Sequence, residues 1–430
     1  IRERQMNNTI SSKCSLVAMP YLVILALLGA CSTEATKPAD PDQSAQKAAP
    51  PAPPPPSPIL QIPILPHDEA VLKAANTLFS KAELAGDPAD KTMRRPVVID
   101  PLIDGVSRMQ TAATRKMETN VANLVKAKYP QFEVKPFTAA NLGQSPLLVV
   151  GTFTPINQLG KTEGVRESYR FCLALVDLKS RRIVSKAVAR SRMENVDSAP
   201  LPFFSDAPVW TRDPTGEAYV ATCQASKLDG EVSPAYIDSL VADALINEGI
   251  RAYNSAHFKE ALALFVKAGA TPAGQQFRTL TGNYLAASKL GRRQESAQAF
   301  GRIVDFGLDA GKLSVVFTFR PGATSLHGGT AKEPYDMWLK SLAQHAAQRN
   351  SCMEIIGHAS RGGPESVNER LSALRAEYVR QRLVDETPSL DKRLIAAGYG
   401  SRENLIGTGK DNASDALDRR VEFRLLACRE

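Results

Sequence analysis

The spacing of apolar and polar residues divides the chain beyond residue 66 into three regions, of which the first is residues 67–232. There, helix-periodic stretches alternate with short apolar runs at 97–99, 147–153, 169–176 and 183–188. Apolar residues at three- and four-residue spacing predict helices, and short β-branched runs bounded by turn residues predict strands. A turn at 179–181 joins the last two runs into a hairpin. Residues 67–232 are therefore predicted to form an α/β domain with a hairpin.

The second region, residues 233–309, is helical throughout and contains an internal repeat. Small and apolar residues recur in the same order in its two halves: Ala252, Ala261, Phe265 and Ala268, then Ala287, Ser296, Phe300 and Ile303. Small residues at such positions let paired helices approach closely, and the pattern resembles a tetratricopeptide repeat. Because a free-standing array needs about three repeats, we expect these two hairpins to pack against a neighbouring domain or a partner.

The third region, residues 310–430, is predicted to be α+β, which makes the chain an α/β and α+β multidomain protein. Strands are expected at 313–319, 352–358, 394–400 and 420–426, and the first helix at 333–349. Gly362, Gly363 and Pro364 end the second strand and force a turn before a second helix.

One arc of this second helix is apolar and is expected to face a core: Val367, Leu371, Leu374 and Tyr378. Asn368 and Arg375 are about two turns apart, so they line up at the edge of that arc. This places an amide and a guanidinium beside the strand-exit loop at 358–361. Such a polar notch suits a carboxylate, because arginine can bind one bidentately. The alternative is that both groups only stabilise the fold.

The same residues carry a family resemblance. The pattern GHAS, then N-x-x-LS-x-x-RA, then AAGYGS and DRRVEF, resembles the OmpA-like C-terminal domain of Gram-negative envelope proteins over residues 313–426. The resemblance implies a βαβαβ-type sandwich that binds the diaminopimelate-containing peptide of peptidoglycan without covalent chemistry.

The resemblance also implies the residues of the binding site. The family's Asp, helix Asn, helix Arg and motif arginines correspond here to Ser360, Asn368, Arg375 and the pair Arg419 and Arg420. Ser360 stands where the family has Asp, and Asp418 stands where it has Asn before the arginines. Since serine can hydrogen-bond an ammonium group but cannot pair with its charge, we expect weak but real binding.

The N-terminus resembles a bacterial lipoprotein signal. Basic residues precede an apolar stretch at 15–29, which ends in Leu28-Gly29-Ala30-Cys31. The resemblance implies that residues 1–30 are removed, that Cys31 is lipidated, and that Ser32 directs the protein to the outer membrane, facing the periplasm. The alternative is an ordinary signal peptide with a coincidental cysteine. Residues 31–66 are rich in proline and are predicted to be an extended linker.

The cysteine count fits an oxidising compartment. Of six cysteines, Cys14 lies in the predicted signal and Cys31 carries the predicted lipid, which leaves an even number. Cys352 begins one predicted strand and Cys428 follows the last one. The family fold implies that these two strands are adjacent and antiparallel, so the two cysteines are expected to pair. Cys172 and Cys223 are then left to bridge the α/β domain.

The net charge of +8 is dispersed along the chain, without the basic stripe and interleaved aromatics of a nucleic-acid interface. We find no nucleophile–base pair, metal-ligand cluster or cofactor loop, so we predict no enzyme activity, no cofactor and no metal. The aromatic segment 201–213 is predicted to cover the first sheet, or alternatively to bind a partner.

The predicted function is structural: an outer-membrane lipoprotein that binds peptidoglycan and tethers or scaffolds the envelope. Its expected contacts are the peptidoglycan peptide, membrane lipid through Cys31, and an unidentified envelope protein through the helical module. The alternative is an adaptor that regulates an envelope enzyme or secretion assembly through residues 67–307.

The lipid anchor can be tested by Cys31→Ser, which should release the protein from the membrane fraction because no acyl chain can be attached. The measurement is fractionation followed by a salt wash. Cys14→Ser is the matched control and should stay with the membranes. Retention of the Cys31→Ser variant after the wash would contradict the anchor.

Overall fold

A computed structural model describes residues 62–82, 94–317, 319, 324, 326, 334–407, 409 and 413–428. The predicted signal peptide, Cys31 and nearly all of the predicted linker lie outside these residues. Among the described helices, none combines the length and apolar character needed to cross a bilayer.

The first sheet has seven strands, ordered β1-β7-β6-β5-β2-β4, with β3 paired to β5. They are β1 (Ile64–Leu65), β2 (Arg95–Ile99), β3 (Ile103–Asp104), β4 (Phe132–Lys135), β5 (Leu147–Ile156), β6 (Ser168–Asp177) and β7 (Arg182–Ser191). Strands β5, β6 and β7 form an antiparallel meander, which contains the predicted hairpin. Strands β4, β2 and β5 are parallel.

Helices cover both faces of this sheet. Along β5, Leu147 and Val149 face α1 (His67–Ser80) and α2 (Ala112–Lys128), whereas Leu148 and Val150 face the opposite core. That second core includes the short α3 (Ala139–Leu142), α5 (Pro214–Gln224) and the start of α6 (Pro234–Asn254). Cover on both faces explains why every residue of β5 is buried and why its sequence is almost continuously apolar.

The predicted helical region consists of α6, α7 (Phe258–Gly269), α8 (Phe277–Lys289) and α9 (Arg293–Asp309). The ring of Phe265 fills the space between them. An added Cβ at Gly249 would lie 2.8 Å from this ring, and one at Gly282 would lie 2.5 Å from it. Glycine therefore sets the helix spacing. The four helices are found as expected, while their tetratricopeptide character stays a prediction.

The second sheet is ordered β11-β10-β12-β9-β8. Its strands are β8 (Val209–Trp210), β9 (Lys312–Val315), β10 (Cys352–Gly357), β11 (Leu394–Gly398) and β12 (Val421–Leu426). Only the β10–β11 pair is parallel. The helices α10 (Tyr335–Gln348) and α11 (Glu365–Glu386) belong to the same region. The predicted order of strands and helices from β9 to β12 is found, with one extra strand at the edge.

That extra strand comes from the aromatic segment 201–213, which the sequence prediction had placed over the first sheet. Residues 202–205 form the short α4 (Pro202–Ser205), and β8 pairs Val209 with Val315 and Trp210 with Ser314 of β9. The prediction was wrong because β9 lies far along the chain, and sequence spacing does not reveal so distant a strand edge.

The predicted buried face of α11 was wrong in part. Val367 and Leu374 are 57% and 48% exposed, and Leu371 and Tyr378 are half-buried. The buried positions are Asn368, Ser372, Ala376, Val379 and Leu383. The helix lies directly on the strands: an added Cβ at Gly357 would stand 2.0 Å from the carbonyl oxygen of Ser372. This close approach requires glycine at position 357.

The helical module packs against the C-terminal region, as its small size led us to expect. Trp338 of α10 stacks on Phe300 with ring centroids 5.6 Å apart, and its Nε1 donates to the hydroxyl of Tyr284 at 2.9 Å. A continuous apolar core runs from the helices to the second sheet. Because this core is shared, the domain boundaries at 232 and 309 stay predictions from the sequence.

Both expected disulfides, Cys172–Cys223 and Cys352–Cys428, are present, with Cα atoms 5.9 and 5.2 Å apart. The first bridge holds α5 to β6. The second ties the segment after β12 to the start of β10.

Cys428→Ser should lower the free energy of unfolding by about 2–4 kcal/mol, because the bridge restricts the unfolded chain. Urea unfolding under non-reducing conditions measures the loss. The Cys352→Ser, Cys428→Ser double variant is the control and should lose no more than the single variant. Free thiols at these positions in periplasmic protein would contradict the pairing.

Candidate functional site

Three loops meet at one edge of the second sheet: the exits of β10 and β11 and the entry to β12. Asn368, in the first turn of α11, connects this helix to the loop that follows β10. Its Nδ2 donates to the carbonyl oxygens of Ser360 at 3.3 Å and Gly362 at 3.0 Å. Asn368 is buried, so its amide holds the strand-exit loop against the helix.

Arg375 lies about two turns further along α11. Its Cζ stands 4.7 Å from the centre of the Phe319 ring, in a cation–π contact. Burial and the neighbouring Arg419 lower the pKa of Arg375. An arginine still carries its charge at neutral pH under such conditions. The positive charge of Arg375 at this edge can attract an anion such as a carboxylate.

Ser360 lies on the Asn368 side of this edge and is only 7% exposed. Arg419, which is half-buried, lies on the Arg375 side. The structure thus joins Ser360 to Asn368 through a hydrogen bond, whereas the positive charges of Arg375 and Arg419 repel each other.

Arg420 does not belong with them. It is buried, and its guanidinium donates to the carbonyl oxygens of Leu417 at 3.5 Å and Glu403 at 3.2 Å and to Glu422 Oε2 at 3.4 Å. The expectation that both motif arginines offer charge to a ligand therefore needs correction: Arg420 is bound within the domain. Consecutive residues entering a strand point to opposite sides, which separates the two.

Asp418 organises the loop before β12. Its carboxylate accepts the backbone N–H groups of Leu405 at 2.7 Å, Ile406 at 2.9 Å and Gly407 at 2.8 Å. Burial raises the pKa of Asp418, while two of these N–H groups act in the opposite direction. Its departure from the family pattern therefore has a structural role, which is to fix residues 405–407.

Charged and polar side chains surround the buried carboxylate of Glu422. Lys312 Nζ and Arg424 Nη2 each lie 2.9 Å from Glu422 Oε1, and His358 Nε2 lies 3.6 Å from Oε2. Burial alone would raise the pKa of Glu422, but the hydrogen bond from Lys312 and the positive charges of Lys312 and Arg420 hold it well below its ordinary value. His358, Glu403 and Glu422 have the donor atoms for a metal ion, but cationic side chains already occupy the Glu422 carboxylate.

Comparison with known proteins identifies the type of this domain. Residues 318–417 match the family model described as the OmpA family. The chain is also 38% identical over 90 residues to outer membrane porin F of Pseudomonas fluorescens, which is 20% of this chain and 26% of the porin. The C-terminal region is an OmpA-like domain. The chain thus spans only about a quarter of the length of the porin.

Two solved structures to which part of the chain is similar come from bacteria. One is the peptidoglycan-associated lipoprotein of Burkholderia pseudomallei, at 26% identity and a TM-score of 0.23, covering 26% of this chain and 89% of that one. The other is the cell wall anchor of the type VI secretion system of Pseudomonas aeruginosa, at 20% identity and a TM-score of 0.23, covering 27% of this chain and 80% of that one.

Sequence reasoning missed two residues near the site of the OmpA-like domain. Glu422 could have been noticed, because a charged residue inside an apolar strand is unusual and needs partners. Arg166 could not have been noticed from the sequence, because its partner is distant along the chain. It belongs to the α/β domain, and its Nη2 donates to the carbonyl oxygen of Asn404 at 3.2 Å.

Glu422→Gln should flatten the acid dependence of stability. The pKa of Glu422 is lower in the folded chain than in the unfolded chain. Its contribution is therefore complete above the unfolded pKa and is lost as the pH falls below about 4.5. Urea unfolding between pH 3 and 7 should show a slope reduced by up to about 1.4 kcal/mol per pH unit in the variant. Glu386→Gln, at the exposed end of α11, is the control, and an unchanged slope in Glu422→Gln would refute the assignment.

Proposed function

We propose that this protein is an outer-membrane lipoprotein that binds peptidoglycan non-covalently and tethers or scaffolds the cell envelope. The observation that carries the proposal is the match of residues 318–417 to the OmpA family, within which Arg375 stands over Phe319 at the loop edge of the domain. A guanidinium in this place suits a carboxylate, and a diaminopimelate peptide offers one.

In this proposal the site residues have different tasks. Arg375 binds the carboxylate bidentately, and Arg419 adds positive charge. Asn368 shapes the site by holding the loop at Ser360 and Gly362, since its Nδ2 is already engaged there. Ser360 takes the position where the family has an Asp for the ammonium group. No covalent step is involved, so the protein acts as a binding module and not as an enzyme.

The anchor completes the proposal. Lipid on Cys31 would hold the chain to the outer membrane, and the proline-rich linker at 31–66 would let the folded part reach the cell wall. Tethering therefore requires both ends of the chain, one in lipid and one on peptidoglycan.

A second candidate is the adaptor function through residues 67–307. It is favoured by a groove on the helical module that lies between α7, α8 and α9 and includes Val266, which is 58% exposed, together with Asn283 and Arg302. An unidentified envelope protein would bind there. This candidate becomes the leading one if the OmpA-like domain does not bind peptidoglycan.

The test is co-sedimentation of the unlipidated chain, prepared as Cys31→Ser, with purified peptidoglycan. Arg375→Ala should weaken binding by about ten- to a hundredfold, because a charge-assisted bond is worth roughly 1.5–3 kcal/mol. Arg370→Ala is the matched control, since Arg370 is exposed on another side of α11. The control should bind like the parent.

Ser360→Asp should strengthen peptidoglycan binding, because an Asp there would pair with the ammonium group of the ligand. As Ser360 is nearly buried, circular dichroism and a thermal melt must first show that the variant is folded. If folded Ser360→Asp binds no better and Arg375→Ala binds as well as the parent, the notch is only structural and the adaptor function is favoured.

A further inference from the structure

The loop between β5 and β6 brings the α/β domain to the edge of the OmpA-like domain. Asn157 shapes this loop: its Oδ1 accepts the N–H groups of Leu159 and Lys161, both at 2.9 Å, and its Nδ2 donates to Glu163 at 2.8 Å. Arg166, at the end of the loop, is only 6% exposed although it carries a charge. A charge is buried to this degree only when it is paired or hydrogen-bonded.

The guanidinium of Arg166 lies between backbone segments of the two domains. Its Nη1 donates to Gly164 in its own loop, and its Nη2 donates to Asn404 of the OmpA-like domain. Gly407 is also close: an added Cβ would stand 3.1 Å from Nη1. Since Gly407 has a φ of 65°, a residue with a side chain would be strained there as well as crowded.

The contacted loop, residues 404–407, links the two segments that carry the proposed ligand-binding residues. Asn404 Nδ2 donates to the carbonyl oxygen of Ala359 at 3.2 Å, directly before Ser360. Asp418, directly before Arg419, accepts three N–H groups from residues 405–407. A displacement of this loop would therefore move both sides of the site.

A small cavity with a largely apolar lining lies behind the loop. Ile406 and Leu417 of the OmpA-like domain line it together with Phe153 and Tyr169 of the α/β domain, and all four are buried. Arg166 therefore supplies a polar contact beside an apolar interface. The charges of Asp418 in the OmpA-like domain and Glu163 in the α/β domain favour this cation, and the charge of Arg361 opposes it, so the electrostatic environment of Arg166 includes residues from both sides of the interface.

We propose that Arg166 is a positioning residue for peptidoglycan binding, which acts through Asn404 and the 404–407 loop. The α/β domain and the OmpA-like domain then form one composite binding unit. This inference rests on the proposed function. Because coupling between sites is reciprocal, peptidoglycan bound at the OmpA-like domain must in turn stabilise the contact made by Arg166.

The first test uses the unlipidated full chain and purified peptidoglycan. Arg166→Ala should weaken binding about three- to tenfold, the range expected for coupling through an intermediate element. Arg166→Lys should restore part of the affinity, because an ammonium group can donate to Asn404 but cannot span both backbones. Lys161→Ala is the matched control: it removes a charge from the exposed part of the same loop and should bind like the parent.

The second test needs no substitution at Arg166 and decides the question if Arg166→Ala fails to fold. Hydrogen exchange of the parent chain is measured with and without a soluble muramyl peptide that contains diaminopimelate. Bound peptide should slow exchange in residues 157–167 as well as in 404–407.

Slowing confined to the OmpA-like domain, or an Arg166→Ala variant that binds like the parent, overturns the inference and leaves the proposed function standing. A parent chain that does not bind peptidoglycan overturns the proposed function itself.

Discussion

The pairing of β8 with β9 is the interaction on which the arrangement of the described chain depends. It adds a two-residue strand from the α/β domain to the edge of the OmpA-like sheet. Trp210 strengthens this connection, because its Nε1 donates back to the carbonyl oxygen of Ser107 at 2.8 Å while its ring is buried. A sheet edge that would otherwise expose unpaired backbone groups is thereby covered.

This pairing also explains how so short a helical module is stable. The aromatic residues next to β8, Phe203 and Phe204, pack with the module, and Phe203 lies 5.6 Å from Phe265 between ring centroids. On its other side the module contacts Trp338 of the OmpA-like domain. Two hairpins that could not bury a core alone therefore share one with their neighbours, and no partner protein is needed for that purpose.

In the OmpA-like domain the polar residues near the loops fall into two groups with different partners. Asn368, Asp418 and Arg420 are buried and bonded to backbone groups, so they set the loop geometry. Arg375 and Arg419 remain less buried, and the charge of Arg419 lowers the pKa of Arg375. The fold thus supports a cationic edge with a rigid frame of hydrogen bonds, and the α/β domain contributes to this frame through Arg166.

Several features could be predicted from the sequence because they depend on local order or on short patterns. The hairpin of β6 and β7, the helices of residues 233–309 and the succession of elements in the OmpA-like domain follow from residue spacing and turn residues. The motifs around Asn368 and Arg375 indicated the domain type, and the family fold implied the Cys352–Cys428 bridge.

Other features were decided only by the tertiary structure, because they depend on residues that are distant along the chain. The buried face of α11 follows from the lack of space above Gly357, not from the apolar residues of the helix. The two motif arginines are adjacent in sequence, yet only the position of Glu422 shows that Arg420 is bound within the domain. The register of β8 on β9 and the contact of Arg166 with Asn404 join separate domains. Periodicity describes which residues can be buried, but packing decides what they are buried against.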